Sequence, residues 1–515
     1  MNLLTTEDLV AAGYEPGPTF EKLLAKIAEY ETRGIADPKY ALKLLKRDVA
    51  PPPVKHAMRE KSAPLAEAIT ADTKEEKVNV ELVRKKMHEL LKTPIISRGA
   101  IMPDACPVGG SEPAVIPVGG AIAVENAIIP SAHSSDICCS MYATFYEERS
   151  SVGKELDELM GATRFGPDHR PLDDLVHDPV LDENVWLNRF LSGLRERAAT
   201  QIADQGDGNH FAFVGEVDVD ETMLAMLRLT GHGDLAANFI LPPEGKRRYR
   251  VLVTHHGSRS LGAHVYKRGQ IAAEKHVARK AQHIPAAAAW IPADSDTGRD
   301  YWHALQYVAR WTKANHRAIH RRFLERIGGS VVAELGNEHN FVWQRGDTFF
   351  HGKGATPAWK DEAGRPQLGL IPLNMAEPIL LVLGGDREEF LSFAPHGAGR
   401  NLSRTALRRQ FPDEASRRTA IERGTAGLDV RWFCGKPDLS ETPVAYKNAA
   451  QVKEQIQRFG LAEIVAEIRP LGCIMAGSSG RSWRDREEEL TPKQKRQIEH
   501  RADRRRVRQE LNDEW

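Results

Sequence analysis

The sequence predicts a mixed α/β fold, and three stretches carry that expectation. Tyr249-Arg-Val-Leu-Val-Thr254 and Pro378-Ile-Leu-Leu-Val-Leu383 are short, nearly continuous apolar runs of the kind found in buried strands. The stretch from Tyr301 to Arg326 has the length and period of a helix. Between Ile95 and Gly120, apolar runs are broken at short intervals by glycine and proline, the texture of strands joined by turns.

Taken in order from the N-terminus, Phe20-Glu-Lys-Leu-Leu-Ala-Lys-Ile-Ala28 and Tyr40-Ala-Leu-Lys-Leu-Leu-Lys-Arg47 repeat apolar residues three and four apart, which predicts two charged helices. Pro51-Pro-Pro53 interrupts the pattern, and Glu76 to Leu91 resumes it as a third helix. The change of texture at Ile95 divides the chain into a helical, charged N-terminal extension over 1–94, a catalytic body over 95–477 and a tail over 478–515. The tail alternates Glu487-Glu-Glu489 with Arg504-Arg-Arg506 and has almost nothing large and apolar to bury, so a charged helix or a disordered arm is expected there.

Composition narrows the classes of function. With 515 residues, 41% hydrophobic and 28% charged, the chain can bury one large core or two smaller ones. No run approaches the roughly 20 apolar residues of a membrane helix, and Met1-Asn-Leu-Leu-Thr-Thr-Glu-Asp8 lacks a basic-then-apolar leader. A cytoplasmic location without membrane contact is the expectation. Five cysteines at irregular spacing form no disulfide framework and are expected to be reduced. A formal net charge of zero means that a nucleic acid would have to be met by local basic patches.

Four distant segments carry histidine: Asp204-Gln-Gly-Asp-Gly-Asn-His-Phe211, His255-His-Gly-Ser-Arg259, Asn337-Glu-His-Asn340 and Pro395-His-Gly-Ala-Gly-Arg400. A fifth, Asp136-Ile-Cys-Cys139, adds a carboxylate and thiols. His255 emerges at the end of an expected buried strand, a rigid mount for a ligand, and Glu338 and Asn340 flank His339 where they could orient an imidazole. One thiolate with several imidazoles and a carboxylate suits zinc, cobalt or manganese. A thiolate can also bridge two ions, so single-metal and two-metal sites both remain open.

His396 sits in a different setting. Gly397, Ala398 and Gly399 let backbone amides approach a phosphate, Arg400 supplies a cation, and a helix is expected through Thr405-Ala-Leu-Arg-Arg-Gln-Phe411. A neutral imidazole there is a competent nucleophile for a phosphoryl group. His316, His320 and His351 have no partner pattern in the sequence and are expected to be structural.

At these residues the chain resembles the RtcB family of RNA-splicing ligases. The resemblance rests on Met102-Pro-Asp104, Asp136-Ile-Cys-Cys139, Gly208-Asn-His-Phe211, His255-His-Gly-Ser-Arg259, His339-Asn340, His396-Gly-Ala-Gly-Arg400 and Ala445-Tyr-Lys447, in the family's order from near Ile95 to near Gly477. It implies an RtcB-like fold of packed mixed sheets around a central metal cleft. It further implies two Mn2+ ions with Cys139 shared, His255 and His339 on one and Asp136 and His210 on the other. His396, with Asp104 as the other catalytic residue, would accept GMP from GTP. Asn209, Asn340, Gly397, Ala398, Gly399, Arg400 and Tyr446 would contact the nucleotide, and Arg259 and Arg400 the phosphates or RNA.

The activity so implied is a manganese-dependent RNA ligase that joins a 3′-phosphate or 2′,3′-cyclic phosphate end to a 5′-hydroxyl end, with room for an accessory activating protein. The chain departs from the family where a histidine is replaced by Cys106, a glutamate by Phe213 and a lysine by Met475. The replacements at Phe213 and Met475 leave the base of the nucleotide open, and Cys106 leaves open the handling of the RNA ends. They also leave two alternatives: a metal-dependent RNA-end phosphodiesterase or hydrolase that does not seal, and a non-catalytic RNA-binding homologue.

Overall fold

In the computed structural model the described residues are 3–478, apart from 13, 15–16, 18–19, 51–55, 109–111, 167–168, 281–282 and 403. The charged tail therefore lies, from residue 479 onward, outside the described residues. The fold is mixed α/β. Among the described residues two sheets dominate, and their strands are β1 (Leu65–Glu67), β2 (Ile96–Cys106), β3 (Val118–Glu125), β4 (Ser140–Tyr146), β5 (Phe211–Asp220), β6 (Lys246–His256), β7 (Ala333–Glu338), β8 (Asn340–Arg345), β9 (Thr348–Lys353), β10 (Leu368–Pro372), β11 (Ile379–Gly384), β12 (Asp429–Trp432) and β13 (Ala462–Met475).

One sheet runs β1-β2-β3-β9-β8, and the other runs β7-β4-β6-β5-β13-β11-β10 with β12 paired to β13. The apolar runs that predicted strands became β6 and β11, both inside the larger sheet. β6 is antiparallel to β4 on one side and β5 on the other, with His255 opposite Met141 and Phe211. Its last eight residues are all buried, which is why that stretch reads as continuously apolar rather than alternating. β7 runs into β8 through His339, so a single short segment passes from one sheet to the other.

Helices cover the sheets. α1 (Thr6–Ala11), α2 (Phe20–Thr32) and α3 (Pro38–Asp48) bury Leu9, Leu23, Ile27, Tyr30 and Leu45 in a cluster of their own. α4 (Lys74–Leu90) starts at a capping box formed by Thr73 and Glu76. α5 (Arg259–Lys280) follows β6, and α6 (Asp296–Ile327) is closed by Gly328 in the left-handed conformation at φ 65°. Val83, Met87 and Leu90 of α4 share the principal core with β2, β3 and α6, and β1 pairs in parallel with β2. The stretch 65–90, assigned from sequence to the N-terminal extension, thus contributes a strand and a helix to the body. The helical period of α4 is visible in sequence, but the surface it packs against is not.

A separate apolar cluster joins Ala100, Met102, Ala121 and Ala123 of the smaller sheet to Ile371, Leu380 and Val382 of the larger, so the two sheets share packed faces. Among the described residues no helix is long and apolar enough to cross a membrane.

Candidate active site

The residues singled out by sequence converge where β4, β6 and the β7–β8 passage meet. Cys139 immediately precedes β4 in a turn where Cys138 takes φ 58°. Two backbone bonds, Cys138 N–H to Asn340 O at 2.7 Å and His339 N–H to Cys139 O at 2.9 Å, seat that turn against the passage carrying His339. Gly257, just past β6, admits Asp136: a Cβ at that position would lie 1.9 Å from its Oδ1.

The donor atoms are mutually close. Sγ of Cys139 lies 3.2 Å from Nε2 of His255 and 3.7 Å from Nε2 of His210. Nε2 of His255 is 3.1 Å from Nε2 of His339, and Nε2 of His210 is 3.0 Å from Oδ2 of Asp136. Two triplets result, Cys139–His255–His339 and Asp136–Cys139–His210, each with all donor atoms within 4.8 Å of one another and with Cys139 in common.

The chemistry of this donor set fits a cation. Nδ1 of His255 faces the carbonyl oxygen of Asn209 at 3.2 Å. That contact places the proton on Nδ1 and turns the bare Nε2 lone pair into the cluster. Burial holds His255 down to about 3, with His210 and His396 adding to the effect, and burial also holds His339 well below the usual imidazole range. Both are therefore neutral, the form that binds metal. Burial pushes the Cys139 thiol up, and the Asp136 carboxylate adds to it, so a cation would have to draw that proton off. Burial alone would raise Asp136, but the neighbouring His210 keeps it below the usual carboxylate range.

His396 stands beside this cluster, its ring 4.8 Å from that of His339 between centroids. Its Nδ1 lies 2.5 Å from Oδ2 of the fully buried Asp104. Gly399, at φ +74°, makes the contact possible, since a Cβ there would lie 1.9 Å from the Asp104 carbonyl oxygen. His396 opens onto a cavity of about 450 Å³ that is also lined by Asn209, Asn340, Gly397, Ala398, Gly399, Arg400 and Tyr446. Glu441 accepts from the Tyr446 hydroxyl at 2.9 Å and from Nη1 of Arg400 at 3.4 Å, and the Arg400 guanidinium lies over the Tyr446 ring. One stretch of the lining is apolar, with Phe211, Phe213, Met375, Ile379 and Met475, while Ser134 and Asn374 add polar groups. Cys106 lines the cavity as well.

Arg259, expected to contact phosphate or RNA, sits apart from the cavity, and its Nη2 donates to Gly166 O at 2.6 Å. A Cβ on Gly206 would lie 2.6 Å from its Nη1, so the guanidinium backs the loop leading to His210. The φ of 55° at Arg259 turns the chain there, a backbone setting that the sequence does not announce.

Sequence reasoning missed several contributors. Lys447 donates to the carbonyl oxygens of Pro103 and Ala105 at 2.8 and 2.7 Å, clamping Asp104 from both sides. Its presence in Ala445-Tyr-Lys447 was the available signal. Lys353 lines the cavity with Nζ 3.2 Å from Ile116 O, and burial pulls it down to about 8. Only the flanking Gly352 and Gly354 hinted at it. His316, His320 and His351 prove to be buried with definite partners: the first two bond to hydroxyls on β4 and β6, and Nε2 of His351 on β9 accepts from Ile129 N–H at 3.0 Å.

Buried imidazoles, a thiol and a carboxylate that could hold cations stand beside a carboxylate-anchored histidine and a cavity of an α/β protein. The chain belongs to the RtcB family: the family model described as "tRNA-splicing ligase RtcB" matches residues 185–476. It is 26% identical over 430 residues to an RNA-splicing ligase RtcB2 of Escherichia coli, covering 79% of this chain and 96% of that protein. It is 27% identical over 318 residues to a tRNA-splicing ligase RtcB of Pyrococcus abyssi, covering 54% of this chain and 32% of that protein. A Thermococcus kodakarensis protein of the same description is 27% identical over 316 residues, 54% of this chain and 60% of that protein. The alignment thus spans about a third of the Pyrococcus protein's length.

Proposed function

We propose that the protein is a metal-dependent RNA ligase that joins a 3′-phosphate or 2′,3′-cyclic phosphate end to a 5′-hydroxyl end through a nucleotidyl-histidine at His396. The observation that carries the reading is the meeting of two donor triplets that share Cys139 with a histidine whose Nδ1 is anchored on Asp104. The cations, two Mn2+ by the family resemblance, with zinc or cobalt also suited to the donors, would be held by Asp136, Cys139, His210, His255 and His339. Bound there, they supply neutralisation of charge on the transferring phosphoryl groups.

The protein's own part starts at Asp104. Its carboxylate accepts from Nδ1–H of His396, which leaves the Nε2 lone pair to attack the α-phosphorus of a nucleoside triphosphate, GTP by the resemblance. A P–N bond forms as the bond to the bridging oxygen breaks, and pyrophosphate leaves. Asp104 then stabilises the positive charge that the substituted imidazole acquires, as a buried carboxylate does for a catalytic histidine elsewhere. Arg400 and Lys353 line the same cavity as cations for the phosphates. A 2′,3′-cyclic end is first opened by water to a 3′-phosphate; the nucleotide then passes to that phosphate as the P–N bond to His396 breaks, and attack by the 5′-hydroxyl closes the strand with release of the mononucleotide.

The test is to incubate the protein with manganese and each labelled nucleoside triphosphate and to locate the attached nucleotide by mass spectrometry. Labelling of His396, lost in His396→Ala, is expected, together with joining of an RNA bearing the two end types. An RNA whose cyclic phosphate is opened without labelling or joining moves the assignment to an end-processing hydrolase. RNA binding alone moves it to a non-catalytic homologue.

A further inference from the structure

A pleated strand sends alternate side chains to opposite faces. Cys139 is followed by Ser140 and His255 is preceded by Thr254, so the residues next to these two proposed ligands turn away from the cluster, and both meet α6. Nε2 of His316 lies 3.0 Å from Oγ of Ser140, and its Nδ1 lies 2.6 Å from Oγ1 of Thr254. One helical turn on, His320 places Nε2 2.8 Å from the same Thr254 oxygen and Nδ1 2.7 Å from Oγ1 of Thr144. Thr144 in turn donates to Oε1 of Glu334 on β7 at 3.0 Å. Ser140, Thr144, Thr254, His316 and His320 are buried, and Glu334 is exposed.

Each hydroxyl has one proton and each neutral imidazole one N–H, so the carboxylate at the end dictates the direction of every link. Ionised Glu334 can only accept. Thr144 gives its proton to Glu334 and must accept from Nδ1–H of His320. The bare Nε2 of His320 accepts from the Thr254 hydroxyl, which accepts from Nδ1–H of His316. The bare Nε2 of His316 accepts from Ser140. Reversing any link would set two protons or two lone pairs face to face. Burial holds His320 down to about 3 and His316 well below its usual range, which agrees with two neutral rings.

We infer that this one-way hydrogen-bond chain makes His316 and His320 positioning residues for the metal-ligand cluster, fixing Cys139, immediately ahead of β4, relative to His255 on β6 from the far side of the sheet. The inference rests on the metal-binding reading of that cluster. Asn315 extends the same grip: its Oδ1 accepts from Asp204 N–H at 3.1 Å and its Nδ2 donates to Asp204 O at 2.9 Å, at the start of the segment that reaches His210. Three consecutive or near-consecutive polar residues of one helix thus hold the segments that bear Cys139, His255 and His210.

Thr254→Val keeps the side-chain shape and removes the central link, and Thr254→Ser restores the hydroxyl. Cobalt titration followed by the thiolate-to-cobalt charge-transfer band reads ligation by Cys139 without any turnover. Thr254→Val is expected to weaken cobalt binding by about 10–100-fold, and Thr254→Ser to recover it. A Thr254→Val protein with a lower Tm but unchanged cobalt affinity and band overturns the positioning role. Should that variant fail to fold, nitrogen-15 histidine spectra of the unaltered protein decide: protons on Nδ1 of both His316 and His320 are required, and an Nε2–H form at either overturns the chain. An unaltered protein that takes up no cobalt overturns the metal reading along with it.

Discussion

Asp104 and His396 are 292 positions apart in sequence, yet Oδ2 of one lies 2.5 Å from Nδ1 of the other. The contact chooses the tautomer: with Nδ1 committed to the carboxylate, Nε2 is the nitrogen free to react. Asp104→Asn removes the charge and can reverse the hydrogen bond, so nucleotide attachment is expected to slow on the order of 10²–10⁴-fold. His396→Ala is expected to abolish it. Both are read from the rate of label transfer from a nucleoside triphosphate; an Asp104→Asn rate equal to that of the unaltered protein would falsify the role of the carboxylate.

Because Cys139 belongs to both donor triplets, its loss is expected to differ in kind from the loss of any one imidazole. Cys139→Ser should weaken both cations, whereas His255→Ala and His210→Ala should each weaken one. Metal content after dialysis distinguishes them. Equal losses in all three variants would argue against a shared sulfur.

The apolar stretch of the cavity, with Phe211, Phe213, Ile379 and Met475, offers a base dispersion and stacking, while the cavity's carboxylate, Glu441, is engaged by Tyr446 and Arg400 and its ammonium, Lys353, by Ile116 O. Strong rejection of a wrong base requires polar groups that it leaves unpaired. Labelling of His396 by GTP and by ATP is therefore expected to differ by less than about 10²-fold, a range typical of apolar selection. Competition between the two nucleotides measures it, and a preference of 10⁴ or more would locate an edge-reading group elsewhere in the cavity.

Several buried histidines set an acid limit on stability. Burial lowers His133 to about 4 and His351 to about 3, against about 6.5 in an unfolded chain. Below pH 6.5 the unfolded state takes up protons that the folded state refuses. Stability is therefore full above that pH and falls as the pH drops toward 3–4, by up to roughly 1.4 kcal/mol per pH unit for each such group. His133 and His351 lie outside the ligand cluster, so saturating metal should not remove this dependence. Urea midpoints at pH 7 and pH 5 that coincide would contradict it.

Two truncations separate the N-terminal helices from the body. Val83, Met87 and Leu90 of α4 lie in the principal core, whereas α1–α3 bury their own cluster. Removing residues 1–49 is expected to leave a cooperatively folding protein, and removing 1–94 to leave one that does not fold. Met87→Ala alone should cost about 2–5 kcal/mol, read from denaturant unfolding.

Much of the site was legible in sequence because its chemistry is carried by uncommon residue types in glycine-marked turns. The segments around Asp136, His210, His255, His339 and His396 declare themselves locally, and β6 and α6 follow from apolar run and period. Sequence could not say that β1 and α4 belong to the body, because an amphipathic helix does not name the surface it covers. Nor could it distinguish the settings of two arginines: Arg400 lines the cavity, while Arg259 turns behind the His210 loop.

By itself, then, the sequence determined which side chains could hold a cation or a phosphoryl group, since ligand chemistry resides in residue type. Tertiary structure alone decided which atoms face one another. The sharing of Cys139, the anchoring of His396 on Asp104 and the Ser140-to-Glu334 chain depend on strand register and helix placement, and these are fixed by packing among residues distant in sequence.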